Sequence, residues 1–331
     1  MPFSNSLSMP VALRGVAIAS VVLHHAYGNH AQGWIAENLG FYGGMDFLLM
    51  LTGYNFARFS LDGAPPPAVR RGLWSLARTM ILFSVAMLLL WAPFKGIEKR
   101  ELLLIANWFP NPGKAMFPIE FAGMLIQICL IFWLMSWLPG FAETWKRPLM
   151  TSSVLFAIGV ALVTLFPRPD LHNRLPWLYL WAFSLGIMVY FGMRSDVQGP
   201  QRWIRPALLL CALVATYAAE GAKMPLYWMT IGLALFVYVE KLPLPYWPAH
   251  LLKMMSQATL AIFFFHWPLI VLGRSLFDRA PVPSFLFSLF GSLLIWAIGK
   301  AAVRAWQSER KAQTRATRFD VQPAGQTVAA A

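Results

Sequence analysis

The stretch Leu13-Arg14-Gly15-Val16-Ala17-Ile18-Ala19-Ser20-Val21-Val22-Leu23-His24-His25 decides how this chain folds. It is an apolar run with an arginine near its start and two histidines at its end. From Pro10 to Tyr27 the run is long enough to cross a bilayer as a helix. An arginine at membrane depth costs roughly 2.5–3.5 kcal/mol on insertion scales, so it is rarely idle. Arg14 and His25 are eleven residues apart, which leaves them within about 20° of one helical face and roughly 16 Å apart along the axis. His24 falls about 80° to the side of Arg14. One face therefore carries a cation at one end and an imidazole at the other. Snorkelling of Arg14 to the membrane surface, with His25 at the opposite interface, explains the same pattern.

The rest of the chain has the composition of an integral membrane protein. Of its 331 residues 58% are hydrophobic and only 12% are charged, about half the charge content of an ordinary soluble domain. The 15 tryptophans suit interfacial anchoring. The net charge of +13 does not point to nucleic acid, because the basic residues sit in connections and in the C-terminal stretch. The two cysteines, Cys129 and Cys211, lie inside apolar runs and imply no disulfide framework. The N-terminus lacks a basic region and a cleavage site, so it reads as a retained first span.

The expected fold is an all-α bundle of about ten transmembrane helices, at 10–27, 41–60, 73–92, 116–138, 149–166, 175–192, 206–220, 224–240, 257–274 and 284–303. A spanning segment must be helical to satisfy its backbone in lipid. Residues 1–303 form the transmembrane domain; 304–331 read as a basic, disordered cytoplasmic tail. With the N-terminus cytoplasmic, sixteen lysines and arginines fall inside and nine outside. That bias puts both ends in the cytoplasm. The connection from Gly28 to Gly40 has neither lysine nor arginine, as an external loop should. Pro167-Arg168-Pro169 and Pro243-Leu244-Pro245 read as turns.

This orientation gives each polar group a depth. Asp46 opens the second span at the outer face, where His25 offers a partner at matching depth; the bland reading is a charge at a helix start. Gly44 and Gly53 allow close helix approach. Glu120 opens the fourth span, with Gln127 on its face. Arg70, Arg71 and Arg78 lie near the cytoplasmic side of the third span, with Arg14. Four guanidiniums at one depth suit a polyphosphate ligand, though Arg70 and Arg71 also fit a positive-inside flank. The loop from Phe94 to Phe117, with the turn-rich Asn107-Trp108-Phe109-Pro110-Asn111-Pro112-Gly113, either shapes a site or covers the bundle. In the ninth span His266 stands beside Pro268, which interrupts the backbone ladder.

Three of these segments resemble the membrane-bound acyltransferase 3 family of bacterial O-acyltransferases. They are Arg14 with His25; Gly44-Met45-Asp46-Phe47 through Thr52-Gly53-Tyr54; and Ser256 through Phe265-His266-Trp267-Pro268. Their order and spacing match, as does the number of spans. The chain departs from the family at Trp74, where an arginine often stands, at Phe117, in place of a tryptophan, and at Ala258 and Thr259, near the family's tyrosines. The resemblance implies transfer of an acyl group, commonly acetyl, from cytoplasmic acyl-CoA to a hydroxyl of an envelope glycan or glycolipid at the inner membrane, with no metal. It implies catalytic roles for His25, Asp46, Glu120 and His266, and donor contacts for Arg14, Arg70, Arg71 and Arg78. A hydroxyl needs a general base, which imidazole can supply; a carboxylate can orient it. His25 as a covalent acyl carrier stays open. The competing class is a proton-coupled transporter or flippase, since intramembrane His, Asp and Arg also mark ion paths.

Overall fold

A computed structural model describes residues 5–27, 44–95, 99–108, 117–166, 175–194, 201–220 and 225–320. The chain forms helices α1 (Met9–Tyr27), α2 (Gly44–Phe56), α3 (Pro66–Lys95), α4 (Lys99–Leu102), α5 (Phe117–Met135), α6 (Phe141–Thr144), α7 (Pro148–Leu165), α8 (Pro176–Arg194), α9 (Gln201–Glu220), α10 (Pro225–Tyr238), α11 (Tyr246–Gln257), α12 (Thr259–Leu276) and α13 (Pro281–Asp320). Pro66, Pro148, Pro176, Pro225 and Pro281 open five of them. Proline is at home there because a first-turn N–H has no intrahelical partner to lose.

Each of the ten expected segments coincides with a helix. Among the described residues six helices are long and apolar enough to cross a membrane: Met9–Tyr27, Pro66–Leu90, Pro148–Leu165, Pro176–Arg194, Thr259–Leu276 and Pro281–Arg310. Three further apolar helices are shorter: Glu120–Met135, Trp203–Ala219 and Trp228–Tyr238. α2 is 13 residues long and runs into a π-helical turn, Ala57–Leu61. The 40 residues of α13 would span about 60 Å, twice a hydrocarbon core. The basic stretch from Arg304 thus continues the rod as helix to Asp320.

α8 sits at the centre of the bundle, with an unbroken run of buried residues from Leu178 to Val189. α2 packs on it through two glycines. A Cβ on Gly53 would meet the Phe183 carbonyl, and one on Gly186 would meet the Met50 carbonyl. The two backbones therefore come closer than any side chain would allow. Gly44 likewise lies against Ser20 and Ala17 of α1, as its position in the sequence suggested.

Two features depart from the sequence reading. Asn5–Ser8 (β1) pairs antiparallel with Lys241–Leu244 (β2), Ser8 opposite Lys241. Pro243 and Leu244 are thus strand residues and not a turn; proline is tolerated because this ribbon is all edge. The connection from 245 to 257 is the helix α11, packed along α1 where a Cβ on Gly15 would come within 2.7 Å of the Leu252 carbonyl. Ribbon and α11 together brace the first half of α1, next to Arg14. The Gly28–Gly40 loop, Phe109–Gly113, Pro167–Pro169 and the last eleven residues lie outside the described residues.

Candidate active site

His266 is fully buried on α12. Its Nδ1 lies 3.0 Å from the Ile262 carbonyl and 2.6 Å from the Phe263 carbonyl. A ring nitrogen facing two acceptors carries the hydrogen, so Nδ1–H donates and Nε2 keeps the lone pair. Nε2 is buried and has no hydrogen-bond partner among the described residues. α12 continues as helix through Pro268 to Leu276. Ser288 of α13 donates to the His266 carbonyl at 2.9 Å, tying the turn before that proline to the neighbouring helix.

His25 stands in the last turn of α1. Its ring stacks on that of His266, centroids 5.2 Å apart at 28°. The edge of Trp267 completes the contact at 5.5 Å. His24 is tilted against His25 at 5.2 Å and is not among the rings packed on His266. Arg274, in the last turn of α12, donates from Nη2 to the carbonyls of His25 and Ala26, both at 2.9 Å.

The two expected carboxylates are buried in first turns. Asp46 is 6% exposed in α2, where Gly44 meets α1. Glu120 is also 6% exposed, and its neighbour Phe121 packs on Phe263 at 5.0 Å. Phe263 in turn touches the His266 ring at 6.0 Å. The start of α5 is thus one aromatic layer from His266. Gln127 has a structural task. It exchanges two amide hydrogen bonds with buried Asn107, both 3.0 Å, donates to the Leu104 carbonyl and accepts from Trp108 Nε1. Those bonds seal the connection after α4 onto α5. A third buried carboxylate, Glu101, lies in α4 itself.

The four arginines do not converge. Arg14 is half-buried and makes no hydrogen bond or ion pair among the described residues. Arg70 donates to the Ser136 carbonyl at 2.9 Å and lies 3.9 Å over the Trp137 ring, so it caps the C-terminal end of α5. Arg71 and Arg78 are exposed, on the side of α3 that also shows Trp74 and Leu82. The reason is angular: the buried stripe of α3 runs Val69, Leu73, Ala77, Met80, and Arg71 and Arg78 stand away from it. Elsewhere, Asp62 accepts from Tyr190 Oη at 2.8 Å and pairs with Arg194, joining the end of the π-helical turn to α8. Neither this cluster nor the Arg274 contact is legible in the sequence pattern. Among the described residues no group of three or more His, Cys, Asp or Glu could hold a metal ion.

The helices and their buried polar centre define a multi-pass membrane protein of the helical-bundle class. Its family follows from comparison with protein-family models: residues 12–300 match the acyltransferase domain, and the chain belongs to the acyltransferase 3 family. It is a membrane acyltransferase. No curated protein and no solved structure matches the chain.

Proposed function

We propose that the protein is an O-acyltransferase of the inner membrane. It moves an acyl group, most simply acetyl, from cytoplasmic acyl-CoA to a hydroxyl of an envelope glycan or glycolipid. The chain crosses ten times, with both ends in the cytoplasm. The observation that most supports this reading is the His266 ring, buried, stacked on His25 and with Nε2 unpartnered among the described residues. An imidazole whose other nitrogen is committed to carbonyls has the tautomer a general base needs.

In this reading the acceptor hydroxyl meets the donor thioester beside the two histidines. The hydroxyl oxygen bonds to the acyl carbon, the carbon–sulfur bond breaks, and the hydroxyl proton passes to imidazole. The imidazole returns that proton to the departing CoA sulfur. Asp46 and Glu120 set the electrostatics around the pair. Arg14, about 16 Å down the same face of α1, serves the donor phosphates, since its guanidinium has no hydrogen bond or ion pair among the described residues. Arg70 contributes less, because the carbonyl of Ser136 already holds it. Arg71 and Arg78 meet the donor only where it approaches along the membrane surface.

The test is mass spectrometry of envelope glycans and lipids from cells with and without the gene. The expected result is an acetyl-sized mass difference on one glycan or lipid species. Identical profiles under conditions of confirmed expression contradict the proposal.

A further inference from the structure

The last carbonyls of a helix have no intrahelical partners, and in α1 two of them belong to His25 and its neighbour Ala26. Arg274 satisfies both from a single nitrogen. The same helix, α12, also supplies two ring contacts of His25: the stacked ring of His266 and the edge of Trp267. Arg274 lies eight residues beyond His266, about 12 Å further along the axis. α12 thus grips the end of α1 from the side through rings and from above through a cation. The cation also suits the negative end of the α1 dipole. Two directional bonds from one cation resist sliding of the end of α1 more than ring contacts do.

We propose that Arg274 is a positioning residue for acyl transfer: by holding the carbonyls of His25 and Ala26 it keeps the His25 ring registered on His266. The proposal rests on the acyl-transfer reading above for its kinetic readout, and on the ring geometry alone for its spectroscopic one. A displacement of about 1 Å at a reacting group costs up to roughly 100-fold in rate. Arg274→Met therefore lowers kcat by about 10- to 100-fold and leaves KM for acyl-CoA within about two-fold, because the donor's phosphates lie at the other end of α1. Arg274→Lys recovers most of the loss, since an ammonium also offers two N–H groups from one nitrogen.

The second measurement needs no activity. Protein labelled with 5-fluorotryptophan gives a Trp267 resonance identified by its loss in Trp267→Phe. In Arg274→Met this resonance moves towards its position in His25→Ala, whereas in Arg274→Lys it stays near that of the parent protein. An unmoved resonance in Arg274→Met overturns the proposal whether or not acyl transfer is detected. So does a Met variant with unchanged kcat, or one that fails to accumulate in the membrane while Arg274→Lys behaves identically, which would make the contact purely structural. If the parent protein transfers no acyl group, the functional reading fails and the fluorine signal alone decides the role of Arg274.

Discussion

The His25 ring stacks on the His266 ring at a centroid distance of 5.2 Å, although one stands on the first helix and the other on the twelfth. The contact joins the first and last polar segments of the sequence into one centre. It also gives the two imidazoles different surroundings. His266 is wholly enclosed, with Nδ1 spent on its own helix. His25 is half-buried at the end of α1, held from α12 by Arg274.

The interlocked glycines of α2 and α8 make a stability prediction. A Cβ at Gly186 overlaps the Met50 carbonyl, which is backbone and has no rotamer to change. Gly186→Ala is expected to destabilise the protein by about 1–3 kcal/mol. Gly299 has nothing within 4 Å of the same position, so Gly299→Ala is expected to be neutral or stabilising, as in any helix interior. Thermal unfolding of both variants in detergent checks the contrast.

For Arg14 the prediction separates a phosphate ligand from a snorkelling cation. Arg14→Lys keeps the charge but loses the bidentate fork. It is expected to weaken acyl-CoA binding by roughly ten-fold, about the loss of one good hydrogen bond to a charged group. Unchanged affinity, measured by titration calorimetry on folded protein, returns Arg14 to the membrane surface.

Topology is predicted by charge. Reporter fusions within Gly28–Gly40 and after Ala331 are expected on opposite sides of the membrane, the second in the cytoplasm. Finding both on one side removes the depth assigned to every residue above.

The candidate site residues stand out in the sequence because they are anomalies in an apolar chain. Arg14, His25, Asp46, Glu120 and His266 each interrupt a hydrophobic run, and burial in lipid makes such interruptions expensive. The glycines at 44 and 53 were legible for a similar reason. What the sequence hides is which helix each residue meets. Arg274 reads as an ordinary flanking charge; only the packing of α12 on α1 turns it into a clamp. Arg70 and Arg71 look equivalent in sequence, yet one step of about 100° sends one to the end of α5 and the other to the outer surface. α11 was missed because twelve residues with two prolines before them carry too little periodicity to outweigh a turn.

The central claim is that chemistry occurs at the stacked pair of His25 and His266, and the neighbour of His25 provides the control. His24 and His25 share a helix and nearly the same depth, but of the two it is His25 whose ring stacks on His266. The decisive measurement is acyl transfer from labelled acyl-CoA in membranes containing each alanine variant at matched expression. The account predicts that His25→Ala loses about 10²–10⁴ in rate while His24→Ala stays within about ten-fold of the parent. An active His25→Ala alongside an inactive His24→Ala would contradict it.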